Sequence, residues 1–256
     1  MDIFTLWLGP TNIICRSCIK SWIRLKYRPI IYLDFKNIDP FFLLIADLID
    51  MRDYREILDT SPSDILLHFT DYFRFTRLYQ QGGIWLDADM FLLNHIPCNK
   101  DIIISSERTQ QSGAFKSKKE YIANIGVLKF PRYDPFLYKV IQKIDKSKSQ
   151  SMKIQKNMFI FQKTLYNEFP EYLEFISQPI VYCPVNYNNI IELYFKDQFT
   201  SKYSQEVNNH NEILEYSIGV HLWENLSLNK YNITQKKIES QSLFYKLLML
   251  VDNIND

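Results

Sequence analysis

The stretch "ILLHFTDYFRFTRLYQQGGIWLDADMFLL", Ile65 to Leu93, restricts what this chain can fold into more than any other. Its first half, Ile65 to Tyr79, is apolar around most of a helical circumference, so that helix has to be packed on several sides. Ser61 followed by Pro62 supplies a start, Asp64 adds favourable charge in the first turn, and Gly82 supplies the stop. Only two glycines separate this helix from "IWL", an apolar run that reads as a strand buried on both faces. A buried helix leading straight into a buried strand implies a layered α/β fold.

The rest of the chain alternates in the same manner. "DIFTLWLG" and "PIIYLDF" read as strands flanking a helix around Ser17 to Tyr27. Further strands are expected at "DIIISSE", "IANIGVLKF", "PIVYCPV" and "YSIGVHLW". Helices are expected near Pro135 to Asp145, Ile154 to Phe169 and, at the carboxyl end, about 235–252. The pattern predicts an α/β sandwich with a mostly parallel central sheet. With 256 residues and 46% hydrophobic content there is enough apolar surface for one large core, so residues 1–256 are expected to form a single domain. The stretch from Lys146 to Lys153 is the most linker-like, but it is short.

A net charge of +1 gives no global field for nucleic acid, and clusters such as "KSKK" read as solvated loops. No apolar run approaches the ~18 residues a membrane span needs, and "MDIFTLWLGP" carries neither a basic leader nor a cleavage site. A soluble, cytoplasmic protein is expected. The apolar run "SLFYKLLMLV" leaves peripheral membrane contact open, although core packing is the preferred reading. Cys15 and Cys18 form one CxxC without a second pair, and Cys98 and Cys183 are isolated, so reduced structural cysteines are expected.

Two features carry chemistry. Asp71 and Arg74 lie three residues apart on the apolar helix, where the ordinary reading is a surface ion pair. Asp87 and Asp89 end the apolar strand, and in an extended chain they project to one side while Ala88 points to the other. Two carboxylates that close repel, and near an interior they need a cation or protons to compensate them. One Mg2+ or Mn2+, held by the carboxylates and completed by phosphate oxygens, is one answer to that need, and a solvated turn is the other.

Taken together, "SDILLHFTDYFRFTRLYQQGGIWLDADMFLL" resembles the sugar-binding, DxD-containing region of family 32 glycosyltransferases. Their relatives include capsular polysaccharide mannosyl- and galactosyltransferases and the clostridial glucosylating toxins. The matching positions are Asp71, Arg74, Gly82, Gly83, Asp87 and Asp89, within about thirty residues of the chain. Weaker echoes are "LWLG", "ANIGVLKFPRYDP" and "GVHLWENL". The resemblance implies a nucleotide-binding GT-A fold and nominates Trp7 near the donor base, Asn124 near the donor sugar, and His221 and Trp223 near metal and diphosphate. It further implies Asp71 and Arg74 on sugar hydroxyls and ribose, Asp87, Asp89 and His221 on Mn2+ or Mg2+, and retention of anomeric configuration. The donor implied is a nucleotide-sugar, UDP-sugar favoured, and the acceptor a saccharide or glycolipid in surface polysaccharide synthesis. Two other classes stay open: a haloacid-dehalogenase-like phosphatase, which also places DxD after an apolar strand, and a non-catalytic sugar-binding module.

Overall fold

The computed structural model describes residues 2–33, 39–51, 63–109, 121–149, 157–196, 207, 209–224, 227 and 238–254. The expected helix start at Ser61 and Pro62, the "KSKK" cluster and residues 150–153 of the linker-like stretch lie outside them. A six-stranded sheet forms the centre, in the order β3-β2-β1-β4-β7-β6. Its strands are β1 (Ile3–Trp7), β2 (Ile30–Leu33), β3 (Asp47–Asp50), β4 (Gly83–Leu86), β6 (Ile103–Arg108) and β7 (Tyr121–Phe130). The pairs β1·β2, β1·β4 and β2·β3 are parallel, whereas β7 is antiparallel to both β4 and β6, so β7 alone runs against the rest. The fold is therefore the α/β type expected, with a mostly parallel sheet flanked by helices.

One face of the sheet, with Phe4, Tyr32, Trp85 and Leu128, packs against three helices: α3 (Ser63–Gln81), α4 (Pro135–Ser149) and α5 (Asn157–Glu168). Aromatic rings join these helices, with Phe75 of α3 stacked on Phe161 of α5 at 5.3 Å and Phe136 of α4 edge-on to Phe161 at 5.0 Å. The other face, with Ile3, Ile31, Ile84, Leu86 and Val127, packs on Cys15, Ile19 and Trp22 of α1 (Ile13–Arg24) and on Phe41 and Phe42 of α2 (Pro40–Ile45). Along β4, Ile84 and Leu86 thus serve one face and Trp85 the other, and this is why "IWL" lacks polar residues. Gly82 and Gly83 take φ of +69° and +96°; a Cβ at Gly82 would meet the Arg132 amide at 2.8 Å and one at Gly83 the Asp2 carbonyl at 2.9 Å. Glycine lets helix turn into strand here without space for a side chain.

A second, two-stranded sheet pairs β5 (Met90–Leu92) antiparallel with β8 (Gly219–His221), backed by a third apolar cluster with Phe195, Phe244 and Leu247. Two further helices belong to this end of the molecule, α7 (His210–Tyr216) and α8 (Leu243–Met249).

Several expectations are corrected. "PIVYCPV" is not a strand: Pro179–Tyr182 forms a one-turn helix, α6, because Pro179 pre-sets the first helical position and the Cys183 amide closes the turn on the Pro179 carbonyl at 2.8 Å. Helix α1 begins at Ile13, ahead of Ser17, because the Asn12 side chain accepts from the Ile14 and Cys15 amides. The short α2 and β3 carry no clear signal in the sequence pattern. Of the last helix expected over about 235–252, residues 235–237 lie outside the described residues; the described part is helical over Leu243–Met249, where Ser242 caps it. All four cysteines are free, and no described helix is long and apolar enough to cross a membrane.

Candidate active site

The two aspartates do not lie on an extended chain, as alternation suggests, but in a tight turn between β4 and β5. The Asp87 amide donates to the Gly126 carbonyl at 2.9 Å, the last rung of β4 on β7, and the Met90 amide then returns to the Asp87 carbonyl at 2.9 Å. Ala88 points into the core, and both carboxylates are left on the accessible side. Strand β5 leaves the turn to pair with β8, and this register sets Met90 opposite His221. His221 Nε2 lies 3.1 Å from Asp89 Oδ1, and the Glu224 amide donates to Asp89 Oδ2 at 2.9 Å. One ligand atom each from Asp87, Asp89 and His221 lies within 4.8 Å of the others.

Behind Asp87 stands Arg74 of α3, whose Nη2 is 2.9 Å from Asp87 Oδ1 and 3.9 Å from Asp71 Oδ1. Its Nη1 donates to the Ile125 carbonyl at 2.6 Å, and its guanidinium lies 5.2 Å above the Trp85 ring. Trp85 Nε1 donates to the same Asp87 oxygen at 2.9 Å. Asp71 and Arg74 are each only 6% exposed, so their pair is an interior feature rather than the surface ion pair that spacing alone suggests.

Each carboxylate of the pair has a cationic neighbour, Arg74 for Asp87 and His221 for Asp89. Burial disfavours the His221 imidazolium, but the Asp89 carboxylate outweighs this and holds the ring well above its ordinary value. Burial likewise pushes Asp89 up, yet His221 and the Glu224 amide outweigh it and leave Asp89 below the usual carboxylate range. Asp87 is raised, by burial first and by Asp89, with Arg74 offsetting part. Glu224 is raised by burial and by Asp89, and burial lifts Asp71 to about 6.

The remaining nominated residues surround this cluster. Trp7 ends β1 and lines a cavity of about 470 Å³ together with Leu6, Asn12, Thr70 and Glu224. Asn12 Nδ2 donates to Glu224 Oε1 at 2.9 Å, which ties this cavity to the Asp89 end of the site. Trp223 takes φ of +51°, and its ring lies 4.2 Å from the His221 ring. Among the described residues, the indole nitrogens of Trp7 and Trp223 and Nε of Arg74 are buried without a hydrogen-bond partner. Asn124 is buried on β7, with Oδ1 accepting from the Gly126 amide at 2.6 Å and Nδ2 donating to Glu107 at 3.0 Å.

The residues present fit a divalent cation: two carboxylates and one imidazole suit Mn2+ or Mg2+. Gly126 adds a cradle, since a Cβ there would stand 3.4 Å from both Asp87 Oδ2 and His221 Cε1. Sequence reasoning missed Gly126, Glu107 and Glu224. Glu224 sits within the quoted "GVHLWENL", next to the nominated Trp223, but no local pattern marks it, because its partner Asp89 is 135 positions away.

The family described as capsular polysaccharide synthesis protein matches residues 1–254. No curated protein sequence matches significantly. Among solved structures, the chain is similar to the PaToxG glycosyltransferase, with 18% identity and a TM-score of 0.48 over 85% of this chain and 88% of that one. It is also similar to the apo form of the glycosyltransferase GlyE of Streptococcus pneumoniae TIGR4, with 14% identity and a TM-score of 0.48 over 100% of this chain. The chain spans 60% of that GlyE chain.

Proposed function

Because the chain belongs to the capsular polysaccharide synthesis protein family, we propose that it is a metal-dependent glycosyltransferase of that synthesis. It moves a sugar from a nucleotide-sugar, UDP-sugar favoured, to a saccharide or glycolipid acceptor. The observation that carries this reading is the gathering of Asp87, Asp89 and His221 within 4.8 Å, adjoining the cavity that Trp7 and Glu224 line.

Breaking the bond at the anomeric carbon builds negative charge on the departing diphosphate and oxocarbenium character on the sugar. A divalent cation at Asp87, Asp89 and His221 supplies the charge compensation that the diphosphate needs, on the order of several kcal/mol. Trp7 offers an aromatic face to the nucleobase, and Trp223 covers the diphosphate. Asp71 and Arg74 orient donor hydroxyls; a guanidinium does not give up its proton, so Arg74 binds and positions and carries no proton. Asn124 stands on the sugar side of the site. Retention of anomeric configuration belongs to the same proposal.

A panel of nucleotide-sugars, assayed for Mn2+-dependent release of free nucleotide, tests it. Cleavage that disappears with Asp89→Ala while the melting temperature holds supports the transferase. Cleavage of phosphomonoesters instead would support a phosphatase, and no cleavage with retained sugar binding would support a binding module.

A further inference from the structure

The ladder between β6 and β7 breaks where the site begins. Ile104 pairs with Leu128 and Ser106 with Ala123, so Asn124 to Val127 stand opposite Ser105 alone. The Ser105 hydroxyl fills the break, donating to the Asn124 carbonyl at 3.1 Å and accepting from the Val127 amide at 3.0 Å. Such bulges re-aim backbone and side chains beside functional sites. Here the segment freed from β6 turns the Ile125 carbonyl to Arg74 at 2.6 Å, while the Gly126 carbonyl still accepts the Asp87 amide at 2.9 Å as the last rung on β4.

Something has to hold that segment in place. On its amino side, Ala123 is fixed by α5, where Tyr166 accepts from its amide at 2.9 Å and Gln162 donates to its carbonyl at 2.7 Å. Within the segment the Asn124 side chain takes over, with Oδ1 on the Gly126 amide at 2.6 Å and Nδ2 on Glu107 Oε2 at 3.0 Å. The orientation of an amide is set by its partners. A backbone N–H at one end demands oxygen there, and a carboxylate at the other demands nitrogen, so the Gly126 amide and Glu107 together determine which way Asn124 faces, and Glu107 is the side chain that holds its nitrogen end.

We propose that Glu107 is a positioning residue for the transfer reaction: through Asn124 it fixes the Ile125 and Gly126 carbonyls, and through them Arg74 and Asp87. Its kinetic consequence rests on the transferase reading of the site; its geometric consequence does not. The role requires only a hydrogen-bond acceptor, so Gln fulfils it and an apolar residue does not.

The test compares Glu107→Leu and Glu107→Gln in the full chain, with Glu107→Ala as a second disrupting variant should Leu prevent folding. Mn2+ affinity, read from the electron paramagnetic resonance of free Mn2+, is measured beside deuterium exchange of residues 84–90 and 121–130, and kcat and KM for donor cleavage follow. Glu107→Leu is expected to weaken Mn2+ by about 10- to 100-fold, the range for residues supporting a metal ligand, and to speed exchange at Gly126 and Asp87. It should lower kcat more than it raises KM, while Glu107→Gln stays within about threefold of wild type, because misplaced groups act on the transition state first. Wild-type exchange and Mn2+ affinity in Glu107→Leu or Glu107→Ala would overturn the proposal. So would a Glu107→Gln variant as inactive as the disrupting one with exchange unchanged, since the carboxylate would then act directly. If wild type cleaves no nucleotide-sugar while Mn2+ affinity and exchange respond as expected, the transferase reading fails and the positioning role stands.

Discussion

Asp71 is held in the fold at a cost, and replacing it with Asn should reveal how large. The carboxylate is 6% exposed, and the nearby Arg74 cation is 3.9 Å away and closer, at 2.9 Å, to Asp87. Burial lifts its pKa from 3.8 to about 6, with Arg74 pulling down and Asp87 pushing up. The unfolded chain thus releases this proton at lower pH than the folded one. Between those values the folded state binds more protons, so stability falls as pH rises through the window and the cost is complete above about 6. Two pKa units correspond to about 3 kcal/mol.

Asparagine matches the neutral acid in shape, so Asp71→Asn should be more stable than wild type by about 3 kcal/mol at pH 7.5, or roughly 6–10 °C in melting temperature. The gain should shrink as pH falls from about 6 toward 3.8 and vanish only below that, where the acid is protonated in both states. Circular-dichroism melts of both proteins from pH 4 to 8, without divalent cation, provide the measurement. A gain of equal size at every pH would mean that Asn packs better for reasons unconnected with charge, and no gain at all would refute the penalty. The same variant should lose donor cleavage, the usual trade between a stable interior and a functional one.

Gly126→Ala puts a Cβ 2.9 Å from Asn124 Oδ1 and 3.4 Å from Asp87 Oδ2, so Mn2+ titration should show affinity down by about 10-fold or more with only a small change in melting temperature. Retained affinity would mean that the cradle is wider than the contacts imply. Arg74→Lys replaces a planar fork that reaches Asp87 and the Ile125 carbonyl together with a point charge, and donor-cleavage assays should show kcat/KM lowered by about 100-fold or more; equal turnover would reduce the pair to a simple ion pair. His221→Ala should weaken Mn2+ and nucleoside diphosphate binding together when one is titrated in the presence of the other. A lower melting temperature with both affinities unchanged would retire His221 from the site.

What the sequence discloses about this site, and what it conceals, divides along a physical line. The helix, the glycine pair, "IWL" and the two aspartates are neighbours in the chain, and the sharp change from apolar to acidic at Leu86–Asp87 is visible without a fold. "IWL" reads as a strand buried on both faces and is one, with Ile84 and Leu86 on one face and Trp85 on the other, but the extended chain expected through Asp87 and Asp89 ends there, because a turn closed by the Met90 amide replaces it. Beyond that boundary, local pattern carries little. His221 meets Asp89 across 132 positions through the β5·β8 register, and only a family likeness singled it out. Glu107 and Glu224 look like ordinary acids, since nothing beside them in the chain says that one faces a buried asparagine and the other lends its amide to Asp89. Gly126 needs no positive φ, so turn chemistry does not announce it; its small size matters only because Asp87, Asn124 and His221 converge there from three different elements. The reactive groups are thus legible where an apolar element ends in them. The groups that orient them are set by strand register and by the break opposite Ser105, and these are properties of the sheet rather than of any one segment.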